Sequence, residues 1–134
     1  MKHLDTSFLV DLMRELGKGR PGPASALLDT LTEEALRVSV HVECELLAGA
    51  ELARAPDIER ARVRLVLASL EVTHTDERFA PIYADVLAEL TKKGRRIATM
   101  DLLIASAALA DGAPLVTRNA KHFARVPGLT LVPY

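Results

Sequence analysis

Residues Met1–Leu16 read MKHLDTSFLVDLMREL, and the spacing of their apolar residues predicts a short strand over Lys2–Asp5 running straight into a helix over Ser7–Leu16. The same alternation recurs down the chain. Strands read at about Arg37–Val40, Glu71–Thr75, Pro114–Thr117 and Thr130–Val132. Longer helical patterns cover Pro23–Glu33, Val42–Arg54, Asp57–Ser69, Glu77–Lys93 and Asp101–Asp111. Short Gly/Pro loops such as Gly112-Ala113-Pro114 and Pro127-Gly128 punctuate them. Strand followed by helix, several times over, predicts an α/β fold with a parallel sheet sandwiched between helices. No repeat or linker divides the chain, so residues 1–134 read as one domain.

A chain of 134 residues can bury its own core, and 49% hydrophobic with 26% charged residues is a globular composition rather than a disordered one. Aromatics make up only 4%, so Leu, Val, Ile and Ala must fill the interior. The longest apolar-and-small run, Leu102–Ala110, falls far short of the ~20 residues of a membrane span. No apolar signal segment follows Lys2, and the cytoplasm is the expected compartment. A lone cysteine, Cys44, excludes an internal disulfide framework and a cysteine-built zinc site; it reads as a small buried hydrophobe. Seventeen basic and 18 acidic residues give a net charge of −1, which does not announce a nucleic-acid binder. Nor does it exclude one, because an acidic site cancels cations in the total while leaving them in place locally.

The informative residues stand just after strands, where open α/β sheets bind their ligands. Asp5 closes the first strand, Glu43 and Glu45 lie in the first turn of the helix after the second, Asp101 opens its helix, and Asn119 follows the fourth strand. Each has an ordinary explanation as a cap, a first-turn acid or a turn residue. Their conjunction at one sheet edge is less ordinary. Clustered carboxylates repel unless a cation neutralises them, and oxygen-only donors suit Mg²⁺ or Mn²⁺. Such an ion acidifies water and offsets charge on a phosphoryl oxygen, so the implied chemistry is hydrolysis of a phosphate ester. Residues two apart point to nearly opposite sides of a helix, so only one of Glu43 and Glu45 enters the site, and spacing does not say which.

Leu4-Asp5-Thr6-Ser7, Glu45-Leu46-Leu47-Ala48-Gly49, Asp101-Leu102-Leu103-Ile104-Ala105 and Val116-Thr117-Arg118-Asn119, followed by His122-Phe123 and Val126-Pro127-Gly128-Leu129, together resemble the PIN-domain nucleases, and within them the VapC-type toxins. The resemblance spans essentially the whole chain. It implies Mg²⁺- or Mn²⁺-dependent cleavage of RNA to 5′-phosphate and 3′-hydroxyl ends, with Asp5 and Asp101 holding the metal. It selects Glu45 over Glu43 as a ligand or as the group orienting water, and gives Thr6 a contact with phosphate or the metal's water shell. Asn119 stands where many relatives carry a fourth acid; its amide keeps an acceptor but no charge, which favours a one-metal site or one completed by substrate phosphate. The resemblance also implies a cognate antitoxin and a homodimer.

Arg95, Arg96 and Arg118 are the cations expected to face RNA; Arg14, Lys18, Arg20, Lys92, Lys93 and Lys121 are further candidates. The helix Val42–Arg54 and the segment Ala24–Glu33 are more apolar than one face requires and would line a groove for a partner helix. His3, His41 and His74 read as structural or surface residues, and His122 as a surface one. Asn119 raises an alternative, a binding module of the same fold with little catalysis; the presence of Asp5, Glu45 and Asp101 argues against it. A phosphoaccepting receiver domain would need adjacent acids after the first strand, where only Asp5 stands.

Overall fold

A computed structural model describes residues 1–134. Its elements run β1 (Lys2–Leu4), α1 (Thr6–Lys18), α2 (Pro23–Thr30), β2 (Leu36–Ser39), α3 (Val40–Glu51), α4 (Pro56–Ala68), β3 (Glu71–Thr73), α5 (Phe79–Lys92), α6 (Thr99–Ala110), β4 (Leu115–Val116), α7 (Ala120–Phe123) and β5 (Leu131–Val132). The expected α/β sandwich is present. Every strand pair is parallel, in the order β3-β2-β1-β4-β5. The chain moves outward from β1 to β3 and then crosses to β4 on the far side of β1. Right-handed crossovers therefore place α1–α4 on one face and α5–α6 on the other. The order reverses between β1 and β4, and the crevice beyond their carboxyl ends is the natural ligand position.

Apolar burial sets this arrangement. Leu4, Phe8, Leu9, Val38, Val42, Leu115, Val116 and Phe123 are all but sealed from solvent. Helix α6 is apolar nearly all round, with Leu102, Ile104, Ala105, Ser106, Ala107 and Ala108 buried, as expected of a helix with no solvent face. Its Ser106 hydroxyl is satisfied within the helix by the Leu102 carbonyl at 2.7 Å. Gly112, at φ 60°, makes the left-handed turn from α6 into β4. No helix is long and apolar enough to cross a membrane.

Several sequence expectations shift. The helix expected to open at Asp101 starts at Thr99, so Asp101 lies inside its first turn; α5 starts at Phe79, and the short α7 was not anticipated. Cys44 is exposed rather than buried. Helix α3 buries Val42, Leu46 and Ala50, and a residue two places from Val42 points nearly the opposite way.

His3, 1% exposed, ties β1 to the end of α6: its Nε2 lies 2.7 Å from Asp111 Oδ2. Arg78 Nη2 reaches Asp111 Oδ1 at 3.0 Å, and Arg37 Nη1 stands 3.7 Å from Oδ2. Burial works to raise the Asp111 pKa, but the His3 hydrogen bond and the neighbouring positive charges outweigh it and hold the carboxyl below its ordinary value. A carboxyl depressed in this way stabilises the fold above its unfolded-state pKa of about 3.9, and that stability fades as pH falls through the lower folded value. Asp111→Asn should cost about 1–3 kcal/mol at neutral pH and lose less than the native chain below pH ~4, read from urea midpoints across pH. Parallel profiles for the two proteins would show that the Asp111 charge does not support the fold.

Candidate active site

Asp5 follows β1 and is the N-cap of α1. Its backbone N–H continues the sheet by donating to Val116 O at 2.9 Å, which brings it beside the exit of β4. The side chain is 3% exposed, and a buried carboxylate needs donors. The Thr6 backbone N–H donates to Oδ1 at 2.8 Å, while the Ser7 and Thr117 hydroxyls donate to Oδ2 at 2.8 and 2.7 Å. Those two hydroxyls fill the lone pairs of Oδ2, and Oδ1 keeps one open. Each hydroxyl in turn accepts a backbone N–H: Ser7 Oγ that of Arg118 at 3.1 Å, Thr117 Oγ1 that of Asn119 at 2.9 Å.

The choice between the two glutamates resolves here. Glu45 Oε1 accepts the Thr6 hydroxyl at 2.6 Å, which places it beside Asp5. Glu43 turns to the other side of α3, toward Arg64 of α4 at 3.7 Å. Asp101, in the first turn of α6, is partly buried and accepts no hydrogen bond from any protein group, so capping does not explain it. Burial first, and then the negative charges of Asp5 and Glu45, push its pKa above the ordinary value, with His122 pulling weakly the other way. Three carboxylates from α1, α3 and α6 thus feel one another across the β1–β4 crevice. No three His, Cys, Asp or Glu side chains close tightly enough to grip an ion as they stand.

Asn119 is drawn to the site through its backbone; its exposed side chain does not cap α7. The Thr6 hydroxyl donates to Glu45 and so braces that carboxylate. Arg95 and Arg96 are exposed in the loop leading to α6, and the Arg96 carbonyl accepts from Arg125 at 3.3 Å. The Arg118 guanidinium leans back along α1 onto Asp11. His122 is exposed, as expected. Sequence reading missed the roles of Ser7 and Thr117. Thr117 could have been found, since it ends the strand that pairs with β1.

The PIN domain model matches residues 2–129 of the chain. The chain belongs to the PIN-domain family. Among its relatives, Ribonuclease VapC2 of Rickettsia felis is 34% identical over 96 residues, 72% of each chain. Ribonuclease VapC19 of Mycobacterium tuberculosis is 31% identical over 130 residues, covering 96% of this chain and 97% of that one. The solved VapBC2 complex of Rickettsia felis, bound to a DNA fragment from its promoter, superimposes with a TM-score of 0.91 at 29% identity, over 99% of this chain and 98% of the other. In a PIN domain the acids at the sheet crevice are the part that fold alone does not require.

Thr117→Val should remove the bond to Asp5 and strand the Asn119 N–H, costing about 1–3 kcal/mol by urea denaturation. Thr117→Ser should recover most of it. An unchanged midpoint for Thr117→Val would mean that the hydroxyl network does not hold Asp5.

Proposed function

We propose that this chain is an endoribonuclease dependent on one divalent cation, Mg²⁺ or Mn²⁺, and the toxin of a toxin–antitoxin pair. The observation that carries the reading is a partly buried Asp101 with no protein donor, facing Asp5 and Glu45 at the sheet crevice. The donor set fits a hard cation: oxygens only, with an open lone pair on Asp5 Oδ1, an unpartnered Glu45 Oε2 and a wholly unpartnered Asp101. Asp5 and Asp101 would hold the ion, and the neutral Asn119 supports a single one. When bound, the ion offsets the three negative charges, acidifies water and takes up charge developing on the phosphoryl oxygens.

The chain's own residues do the rest. Ser7 and Thr117 fix the direction of Asp5. Thr6 holds Glu45 by Oε1, leaving Oε2 to orient the attacking water and accept its proton. Arg95 and Arg96, exposed and without carboxylate partners, would meet the RNA backbone. Water attacks phosphorus in line as its proton passes to Glu45, the P–O3′ bond breaks, and O3′ takes a proton from solvent, giving 5′-phosphate and 3′-hydroxyl ends.

The antitoxin seat we favour is a groove of about 300 Å³ that begins at Thr6 and Glu45 and runs between α1, α3 and α4, walled by Val10, Met13, Leu46 and Val63. Leu16 and Leu65 continue it as exposed apolar residues, 63% and 77% accessible. Helix α2, expected to line such a groove, instead packs against α1 with Ala24 fully buried. The complex with VapB partners in solved relatives supports this occupant, and a homodimer belongs to the same reading.

Purified, partner-free protein should cleave a mixed cellular RNA pool with Mg²⁺ or Mn²⁺ and not with EDTA. Asp5→Ala should lower the rate by about 10²-fold or more. Mn²⁺ titrated calorimetrically should bind the native chain and not the variant. Cleavage that ignores EDTA, or that survives Asp5→Ala, would sink the mechanism.

A further inference from the structure

Beside the three carboxylates lies a second charged group, on the face of α1 that carries Ser7, Asp11 and Arg14 at positions i, i+4 and i+7. Asp11 is its centre, with its side chain only 15% exposed. Its Oδ1 accepts from Arg118 Nη1 and stands 3.6 Å from Arg14 Nη1. Its Oδ2 accepts the Tyr134 hydroxyl at 2.7 Å, and the Tyr134 ring stands edge-on to Phe8 at 5.2 Å between centroids. Both arginines keep about half of their side-chain surface open, 58% for Arg14 and 51% for Arg118. Each guanidinium has five N–H donors, and Asp11 takes up one edge of each at most.

We infer that Arg14 and Arg118, held side by side on Asp11, form a phosphate subsite for the RNA strand next to the scissile position. The inference rests on the ribonuclease reading and adds to it a place where a neighbouring phosphate is gripped. The two guanidiniums border a cavity of about 290 Å³, lined also by Glu15, Pro23 and Tyr134. Glu15 adds a second negative charge to the lining, turned toward the start of α2. Its carboxylate is spent on the start of α2, accepting the N–H groups of Gly22, Ala24 and Ser25 at 2.8, 3.1 and 2.9 Å. The lining thus carries two guanidiniums and two carboxylates, and what favours phosphate there is not net charge but the free N–H edges of the paired guanidiniums, which match phosphate oxygens in geometry.

The subsite is tied to the reaction centre by backbone. Arg118 N–H donates to Ser7 Oγ, which donates to Asp5 Oδ2. Asp11 lies six positions after the N-cap Asp5, about 9 Å of helix rise. That offset suits a phosphate adjoining the cleaved one. Asp11 serves as a positioning residue, fixing the two arginines before RNA arrives.

The test measures affinity without turnover. A fluorescein-labelled single-stranded RNA oligonucleotide is titrated with the full chain in EDTA across a salt series, read by anisotropy. The doubly substituted Arg14→Gln/Arg118→Gln protein should bind about tenfold more weakly at low salt. Its salt slope should fall by about 0.7, the share of one phosphate on a single strand. Arg60→Gln, which removes a cation paired to Glu51 and Asp57 on α4, should leave the slope unchanged. Arg14→Gln alone removes only the long contact to Asp11 and keeps the test informative if the double variant is unstable. A native chain that does not bind, or equal affinities and slopes, overturns the subsite. So does weakened binding of a polyglutamate peptide with RNA binding intact, which would assign the pair to an acidic protein partner. Loss of metal-dependent cleavage by the native chain would instead count against the ribonuclease reading, so the two failures are distinct.

Discussion

The buried carboxylate of Asp5 is the constraint on which the rest of the structure turns. An ionised group at 3% exposure is costly unless donors reach it, and here they come from both sides of the sheet's switch point. Thr6 and Ser7 supply them from the start of α1, Thr117 from the exit of β4. Satisfying one acid therefore joins β1, α1 and β4, and the same hydroxyls register the Arg118 and Asn119 backbone onto the site. The pairing of Asp5 N–H with Val116 O makes that junction part of the sheet rather than an addition to it.

Asp101 is the opposite case. Helix α6 is so apolar that burial of Leu102, Ile104, Ala105 and Ala108 dictates its position, and Asp101 is carried into the crevice with it. No hydroxyl or amide meets the carboxylate there, and two like charges face it. The packing gain of the helix outweighs that local cost; burying a Leu or Ile side chain contributes about 1.5–3 kcal/mol. An arrangement in which the core pulls together charges that repel one another is a local conflict of the kind that functional sites retain.

The alternation of period-two and helical patterns made the fold class legible, since each short strand leads into a helix with a clear apolar stripe, as at Lys2–Lys18. The acids at strand exits were legible for the same reason: topology puts the ends of parallel strands on one edge. What periodicity could not give was direction around a helix axis; for the two glutamates only the resemblance of Glu45-Leu46-Leu47-Ala48-Gly49 made the choice. Glu43 and Glu45 sit in the same turn, and only the packing of Val42, Leu46 and Ala50 decides that Glu45 faces Thr6 while Glu43 faces Arg64. Cys44 was misplaced by that same missing rotation. The cavity between α1, α3 and α4, and not α2, offers the apolar groove, because helix–helix contacts join residues far apart in the chain.

Net charge was the least informative quantity, and the structure explains why. Seventeen basic and 18 acidic residues nearly cancel, yet they are sorted by place. Asp5, Glu45 and Asp101 gather at the crevice with no cation paired to them, while Arg60, Arg62 and Lys93 are neutralised on the outside by partners one helical turn away. Arg95 and Arg96 escape such pairing, and Arg14 and Arg118 share a single acid. On the proposed reading, a crevice of carboxylates that would repel phosphate until a cation enters needs guanidiniums in the same molecule to attract it. A near-zero sum is compatible with that reading, because opposite charges sorted to different places cancel in the total.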